Sequence, residues 1–179
     1  KYLDSVLKRS KIWQKEEVFE DEVLRYHIDT SSCENIIFIV VATPVEEVGR
    51  DHDFDWAVIE PSSYRSIIQL AGRVLRHRKM SQDISQANIA VMQYNLLGVL
   101  GKSIAFTRPG FEGTEKLRLF SHDMEKLVDC QELAHCINSI PRISRPEVLS
   151  EPFNLIGLEH YIMQRFRDED LIGPSTRHG

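Results

Sequence analysis

The sequence predicts an α/β fold, with a partial parallel sheet and flanking helices followed by a mostly helical C-terminal region. Ile36–Val41 is continuously apolar and mostly β-branched, the composition of a strand buried on both faces. Trp56-Ala57-Val58-Ile59 and Ala90-Val91-Met92 are two further short apolar runs. Between these two, Ile67, Ile68, Ala71, Val74 and Leu75 recur at helical intervals. Strand, strand, helix and strand in that order fit half of a parallel sheet, because parallel neighbours need a crossover connection.

The remaining elements follow from local chemistry. Residues 1–28 are dense in charge, and their apolar positions drift around a helical period, which predicts one or two amphipathic helices. Thr30-Ser31-Ser32 breaks that region, and Thr43-Pro44 ends the first strand. Val45–Asp55 is an acidic loop. Glu60-Pro61-Ser62-Ser63 closes the second strand, and Ser63 is a good N-cap for a helix over Tyr64–His77. Beyond Asn95 the pattern loosens. A loop at Arg108–Gly113 leads to a helix near Asp123–Ala134, and Pro141, Pro146 and Pro152 punctuate a linker before a last helix near Leu155–Arg167. The boundary between the sheet-bearing part, 1–107, and the linker with its helical appendage, 108–179, falls at that loop.

The chain has 179 residues, 42% hydrophobic and 27% charged, a globular composition with enough length for a real core. The longest apolar run, Ile36–Ala42, is far short of the roughly 20 residues that cross a bilayer. No signal-peptide pattern is present, and Cys33, Cys130 and Cys136 are too scattered for a disulfide framework. A reducing, cytoplasmic setting is expected. The net charge of −5 argues against a protein that coats nucleic acid generically, though not against a locally cationic site. The chain starts at Lys1 and has no Met before Met80, so part of a larger polypeptide is expected.

Charge is strongly segregated. Pro61–Gln82 holds Arg65, Arg73, Arg76, Arg78 and Lys79 without a single acid, while Asp51, Asp53, Asp55 and Glu60 lie just upstream without a cation. On a continuous helix Gln69, Arg73 and Arg76 would share one face. Two arginines stacked there suit a triphosphate, since the guanidinium fork pairs bidentately with phosphate oxygens. A solvated basic helix face is the plainer explanation for an arbitrary pair.

The surrounding string favours the phosphate. Gln69-Leu70-Ala71-Gly72-Arg73-Val74-Leu75-Arg76 resembles the Q-x-x-G-R-x-x-R signature, motif VI, of superfamily 2 helicases, and Ala42–Asp55 resembles motif V. The whole stretch 42–78, with Arg108-Pro109-Gly110-Phe111-Glu112 and Ile140-Pro141-Arg142-Ile143, is similar to the CRISPR-associated helicase–nuclease of type I-F, in which an adaptation-protein domain is fused to the motor. The resemblance spans roughly residues 36–160.

That resemblance implies an ATP-driven translocase on single-stranded DNA, recruited by a guide-RNA surveillance complex and associated with the CRISPR adaptation integrase. It implies that this chain supplies the latter part of the second RecA-like lobe and the start of the C-terminal region. Carried over by position, Arg73 and Arg76 reach the γ-phosphate, and Gln69 positions phosphates or the attacking water. Gly49 and Asp51 lie near the nucleotide sugar. Thr43 contacts a DNA phosphate, and Glu47 is a weaker candidate for coupling nucleotide state to DNA grip.

Several features limit the expectation. Gly98-Val99-Leu100-Gly101-Lys102-Ser103 is no phosphate loop, because position 96 is Leu where a glycine is required. No Asp-Glu-x-His box for Mg²⁺ occurs, so ATP and Mg²⁺ are cofactors of the longer enzyme, and the chain alone should not hydrolyse ATP. The nuclease metals belong to an N-terminal domain this sequence lacks. No metal site is expected here: Asp51-x-Asp53-x-Asp55 lacks the glycine and final Glu of a calcium loop, and His52-Asp53, His122-Asp123 and the Cys130, His135, Cys136 group lack further ligands. Trp13 and Trp56 are expected in the core. The rival expectation is a docking module for the surveillance complex or a phage-encoded inhibitor, worked by the C-terminal helices. A broader one is a segment of another superfamily 2 motor.

Overall fold

A computed structural model describes residues 2–7, 17–47, 51–77, 86–108, 110–113, 117–144, 146–147 and 152–171. Its elements are α1 (Tyr2–Leu7), α2 (Glu22–Thr30), β1 (Ala57–Ile59), α3 (Tyr64–Ala71), β2 (Ile89–Val91), α4 (Leu96–Val99), α5 (Met124–Leu127), α6 (Cys130–His135), α7 (Ile140–Ile143) and α8 (Leu155–Leu171). The chain divides into two compact units, 1–57 with 69–89 and 58–68 with 90–179.

The α/β class holds, with a smaller sheet than the sequence predicts. β1 and β2 form a two-stranded pair in which the Ala57 N–H donates to the Asn88 carbonyl and the Met92 N–H to the Ile59 carbonyl, a parallel pattern. Ile36–Val41 does not join it. The segment is extended but forms no strand, and Ile37, Ile39 and Val41 are exposed. Residue type alone marks a β-former. A strand also needs neighbours for its N–H and C=O groups, and none of the described residues pairs with this one. Two smaller corrections concern burial: Val58 and Trp56 are exposed, leaving Ile59 as the one residue of β1 that is fully buried.

In the first unit, α2 is capped by Asp21, whose carboxylate accepts the N–H groups of Val23 and Leu24. The 3₁₀ turn Pro44–Glu46 follows the extended segment. Residues 8–16, including Trp13, lie outside the described residues.

The predicted helix over Tyr64–His77 begins where expected, with the Ser63 Oγ accepting the Ser66 N–H at 3.0 Å. It ends at Ala71, six residues early. The physical reason is a competing partner. Phe54 and Val74 form a parallel bridge, in which the Phe54 N–H donates to the Arg73 carbonyl and the Leu75 N–H to the Phe54 carbonyl. Leu75 then turns into the left-handed region at φ 52°, at a cost of about 1 kcal/mol for a residue with a Cβ. Gln69, Arg73 and Arg76 therefore do not share a helix face.

In the second unit the core is Ile59, Tyr64, Ile67, Ala105, Phe106, Leu119, Met124, Leu127, Leu155 and Leu158. Buried polar residues lock the loops around it. Asn95 caps α4 through the Gly98 N–H while its amide donates to the carbonyls of Pro61 and Ala105. Glu159 on α8 accepts the Arg65 N–H at the start of α3 and Arg142 Nε on α7. The helix predicted near Asp123–Ala134 is split into α5 and α6 at Val128-Asp129, because Val128 is extended and Asp129 caps a new helix through the N–H groups of Gln131 and Glu132. α8 matches the predicted last helix and runs slightly further.

Gly110 sits where a Cβ would collide with the carbonyl oxygens of Ser62, Phe106 and Thr107, all backbone atoms that cannot swing aside. Gly110→Ala is expected to destabilise this unit by about 3 kcal/mol, read as a lowered thermal melting temperature. An unchanged melting temperature would show that the loop re-forms around the methyl group.

Candidate functional site

The residues singled out in motifs V and VI lie in the first unit, and most of them are drawn together there. Arg73 is 8% exposed, and its Nη2 donates to the Glu47 carbonyl at 3.2 Å. This bond directly ties the segments that resemble the two motifs. Burial lowers the Arg73 guanidinium from its ordinary value, the nearby Arg76 charge acts the same way, and Asp51 and Glu46 oppose both. Glu47 itself is 4% exposed. Its interior position makes it a backbone partner of Arg73.

Arg76 behaves differently. Its side chain is 40% exposed, and its Nε lies 3.2 Å from Asp51 Oδ1. His77 Nε2 reaches the same oxygen at 2.8 Å. The His77 hydrogen bond does most to hold the Asp51 carboxyl below the usual carboxylate range; partial burial opposes it, and the charges of His77, Arg76 and Arg73 add to it. An arginine anchored through Nε keeps its two terminal amino groups as a fork for an anion.

Gln69 is half-buried, and its side-chain oxygen is shielded from solvent without a partner among the described residues. Thr43 is exposed, immediately before the 3₁₀ turn, and makes no capping bond with its side chain. Gly49 lies outside the described residues.

A second polar group supports the motif V loop. His52 is 1% exposed and lies between Glu46 Oε2, 2.7 Å from its Nδ1, and Asp4 Oδ1, 3.2 Å from its Nε2. The Asp53 N–H donates to the Leu7 carbonyl at 3.1 Å. These contacts dock α1 against the loop that carries Asp51. In the second unit, His122 contacts Glu112, and Asp123 caps α5 while accepting from Gln93 and Tyr94. Both His-Asp dipeptides are thus engaged in local hydrogen bonding. Among the described residues no group of three or more His, Cys, Asp or Glu side chains could hold a metal ion. No described helix is long and apolar enough to cross a membrane.

Sequence reasoning passed over His77, and weighed His52 only as a metal ligand. His77 directly follows Arg76 inside a basic run, and nothing in its spacing marks a partner 26 residues upstream.

Comparison with known proteins agrees with the family resemblance. Residues 4–79 match the family described as CRISPR-associated nuclease/helicase Cas3, C-terminal. The CRISPR-associated nuclease/helicase Cas3 subtype I-F/YPEST of Pectobacterium atrosepticum is 41% identical over 165 residues, 90% of this chain and 14% of that relative. Its counterpart in Pseudomonas aeruginosa is 45% identical over 158 residues, 88% of this chain and 14% of the relative. On these matches the chain is similar over most of its length to a segment of the Cas3 nuclease/helicase of CRISPR subtype I-F, and it spans 14% of the length of these curated relatives.

Proposed function

We propose that this chain is the motif V and VI segment of an ATP-driven translocase on single-stranded DNA, within a longer helicase–nuclease that destroys DNA marked by a guide-RNA surveillance complex. The observation that carries the reading is the meeting of the two motifs in one unit: Arg73 on the Glu47 carbonyl, and Arg76 on Asp51. A motor needs this link, because nucleotide state must be felt where DNA is held.

In this reading the segment completes a second RecA-like lobe, and strands of the longer protein cover Ile36–Val41. Arg76 stabilises charge developing on the γ-phosphate, and Asp51 orients it. Arg73 holds the motif VI turn against the motif V loop, close to the same phosphate. Gln69 and Gly49 line the nucleotide site, and Thr43 gives a sequence-blind contact to a DNA phosphate. The donor set fits the triphosphate of ATP. In this reading Mg²⁺ is held by residues elsewhere in the longer enzyme. When bound, Mg²⁺ supplies neutralising charge to the phosphates. The surveillance complex and the adaptation integrase are the protein partners this reading implies.

DNA-stimulated ATP hydrolysis by the full-length protein, compared with its Arg76→Ala variant, tests the proposal. A docking module is the second reading, favoured by the exposed apolar side chains Ile140, Ile143, Met163 and Phe166 on α7 and α8. Crosslinks to partner proteins confined to 108–179, with Arg76 dispensable for turnover, would establish it instead.

A further inference from the structure

We infer that His77 is a positioning residue for Arg76, acting through the carboxylate of Asp51 that both side chains share. The inference rests on the motor reading of the site and assigns a role to a residue outside the motif signature.

Consecutive residues of a helix point about 100° apart and do not meet on one partner. Arg76 and His77 do meet. The helix has ended at Ala71, and the left-handed turn at Leu75 sends the next two side chains toward one atom, Asp51 Oδ1, at 3.2 and 2.8 Å. The arrangement uses a backbone conformation that leucine adopts only at a cost, held in place by the Phe54–Val74 bridge.

The energetics show why a second donor matters. A half-exposed Arg–Asp pair is only weakly stabilising, while freezing an arginine side chain costs more rotamer entropy than such a pair returns. Asp51 alone would therefore hold Arg76 loosely. With side chains 41% and 40% exposed, neither partner is fixed by packing. His77 is 26% exposed and makes the shorter bond, so it fixes the Asp51 rotamer and with it the seat of the Arg76 Nε. Arg73 is the other cation whose charge acts on Asp51; its own guanidinium is anchored on the Glu47 carbonyl. What His77 supplies is orientation, delivered through one carboxylate to the guanidinium fork.

The test is DNA-stimulated ATP hydrolysis by the full-length protein carrying His77→Ala, His77→Gln, His77→Asn, Arg76→Ala or the Arg76→Ala/His77→Ala pair. His77→Ala is expected to lower kcat about tenfold with little change in the KM for ATP, because a misplaced group costs rate more than binding. His77→Gln places an N–H near the position of Nε2 and should recover kcat to within about threefold, whereas His77→Asn is too short and should behave like Ala. Reading Gln against Asn keeps the comparison informative even where the alanine variant folds poorly. The double variant should be no slower than Arg76→Ala alone, since a residue that acts only through Arg76 has nothing left to position. Full turnover in His77→Ala and His77→Asn, or a further tenfold loss in the double variant, overturns this inference while a collapse in Arg76→Ala leaves the motor reading intact. Full turnover in Arg76→Ala overturns both.

Discussion

Arg76→Ala in the full-length protein is expected to cut DNA-stimulated ATP turnover by a factor on the order of 10³, with the melting temperature unchanged. The two halves of this expectation have separate causes. The Arg76 side chain is 40% exposed and its Nε pairs with the half-exposed carboxylate of Asp51, so its removal leaves no buried group without a partner and costs the fold little. In the proposed reading its terminal amino groups meet charge as it develops on a phosphate, and that stabilisation acts mainly in the transition state. Arg76→Lys keeps the charge and loses the fork, so it should recover only part of the rate. Arg73→Ala provides the contrast. It removes a buried guanidinium and its hydrogen bond to the Glu47 carbonyl, at a cost of about 1–3 kcal/mol. Turnover and melting temperature should therefore fall together. A variant pair in which Arg76→Ala melts early and Arg73→Ala does not would reverse the assignment of the two arginines.

The two arginines show where the sequence was legible. Motif VI gave their identity, and a continuous helix gave them equivalent positions on one face. The structure separates them because Phe54, some 20 residues upstream, captures the Arg73 carbonyl and the Leu75 N–H. That is a tertiary hydrogen-bond competition, and the apolar spacing of Val74 and Leu75 carries no trace of it. Local signals fared better. Ser63 caps α3 as its residue type predicts, and α8 lies where its periodicity does. Ile36–Val41 fails for the opposite reason: its composition is right for a strand, but pairing is not a property of the segment. The loop at 108–113 is family-like in sequence but shows no physical role there, because a lone Glu among turn residues gives no sign that it is buried.

That residue, Glu112, carries the second large effect. Its side chain is 0% exposed. Oε2 accepts the N–H groups of Ala105 and Phe106, both at 2.8 Å, and Oε1 accepts that of Leu119 at 2.7 Å, with His122 Nε2 3.1–3.2 Å from the carboxylate. Burial pushes its pKa up, yet these hydrogen bonds together outweigh burial and hold the carboxyl below its ordinary value. Glu112→Ala leaves three backbone donors facing a void, and Glu112→Gln turns an amide N–H toward at least one of them. Either change should cost about 4 kcal/mol. The sharpest readout is amide hydrogen exchange of the full-length protein at Ala105, Phe106 and Leu119, expected to accelerate by a factor on the order of 10³ where local opening governs it. The same network fixes the pH dependence. Because the folded pKa is depressed, its stabilisation is fully present above the unfolded value of about 4.3 and is lost as pH falls through the folded value. Protection of these three amides, corrected for intrinsic exchange, should therefore be flat above about pH 5 and should fall only under acid conditions. Protection that already declines between about pH 7 and 5 would remove Glu112 as the group that governs the loop.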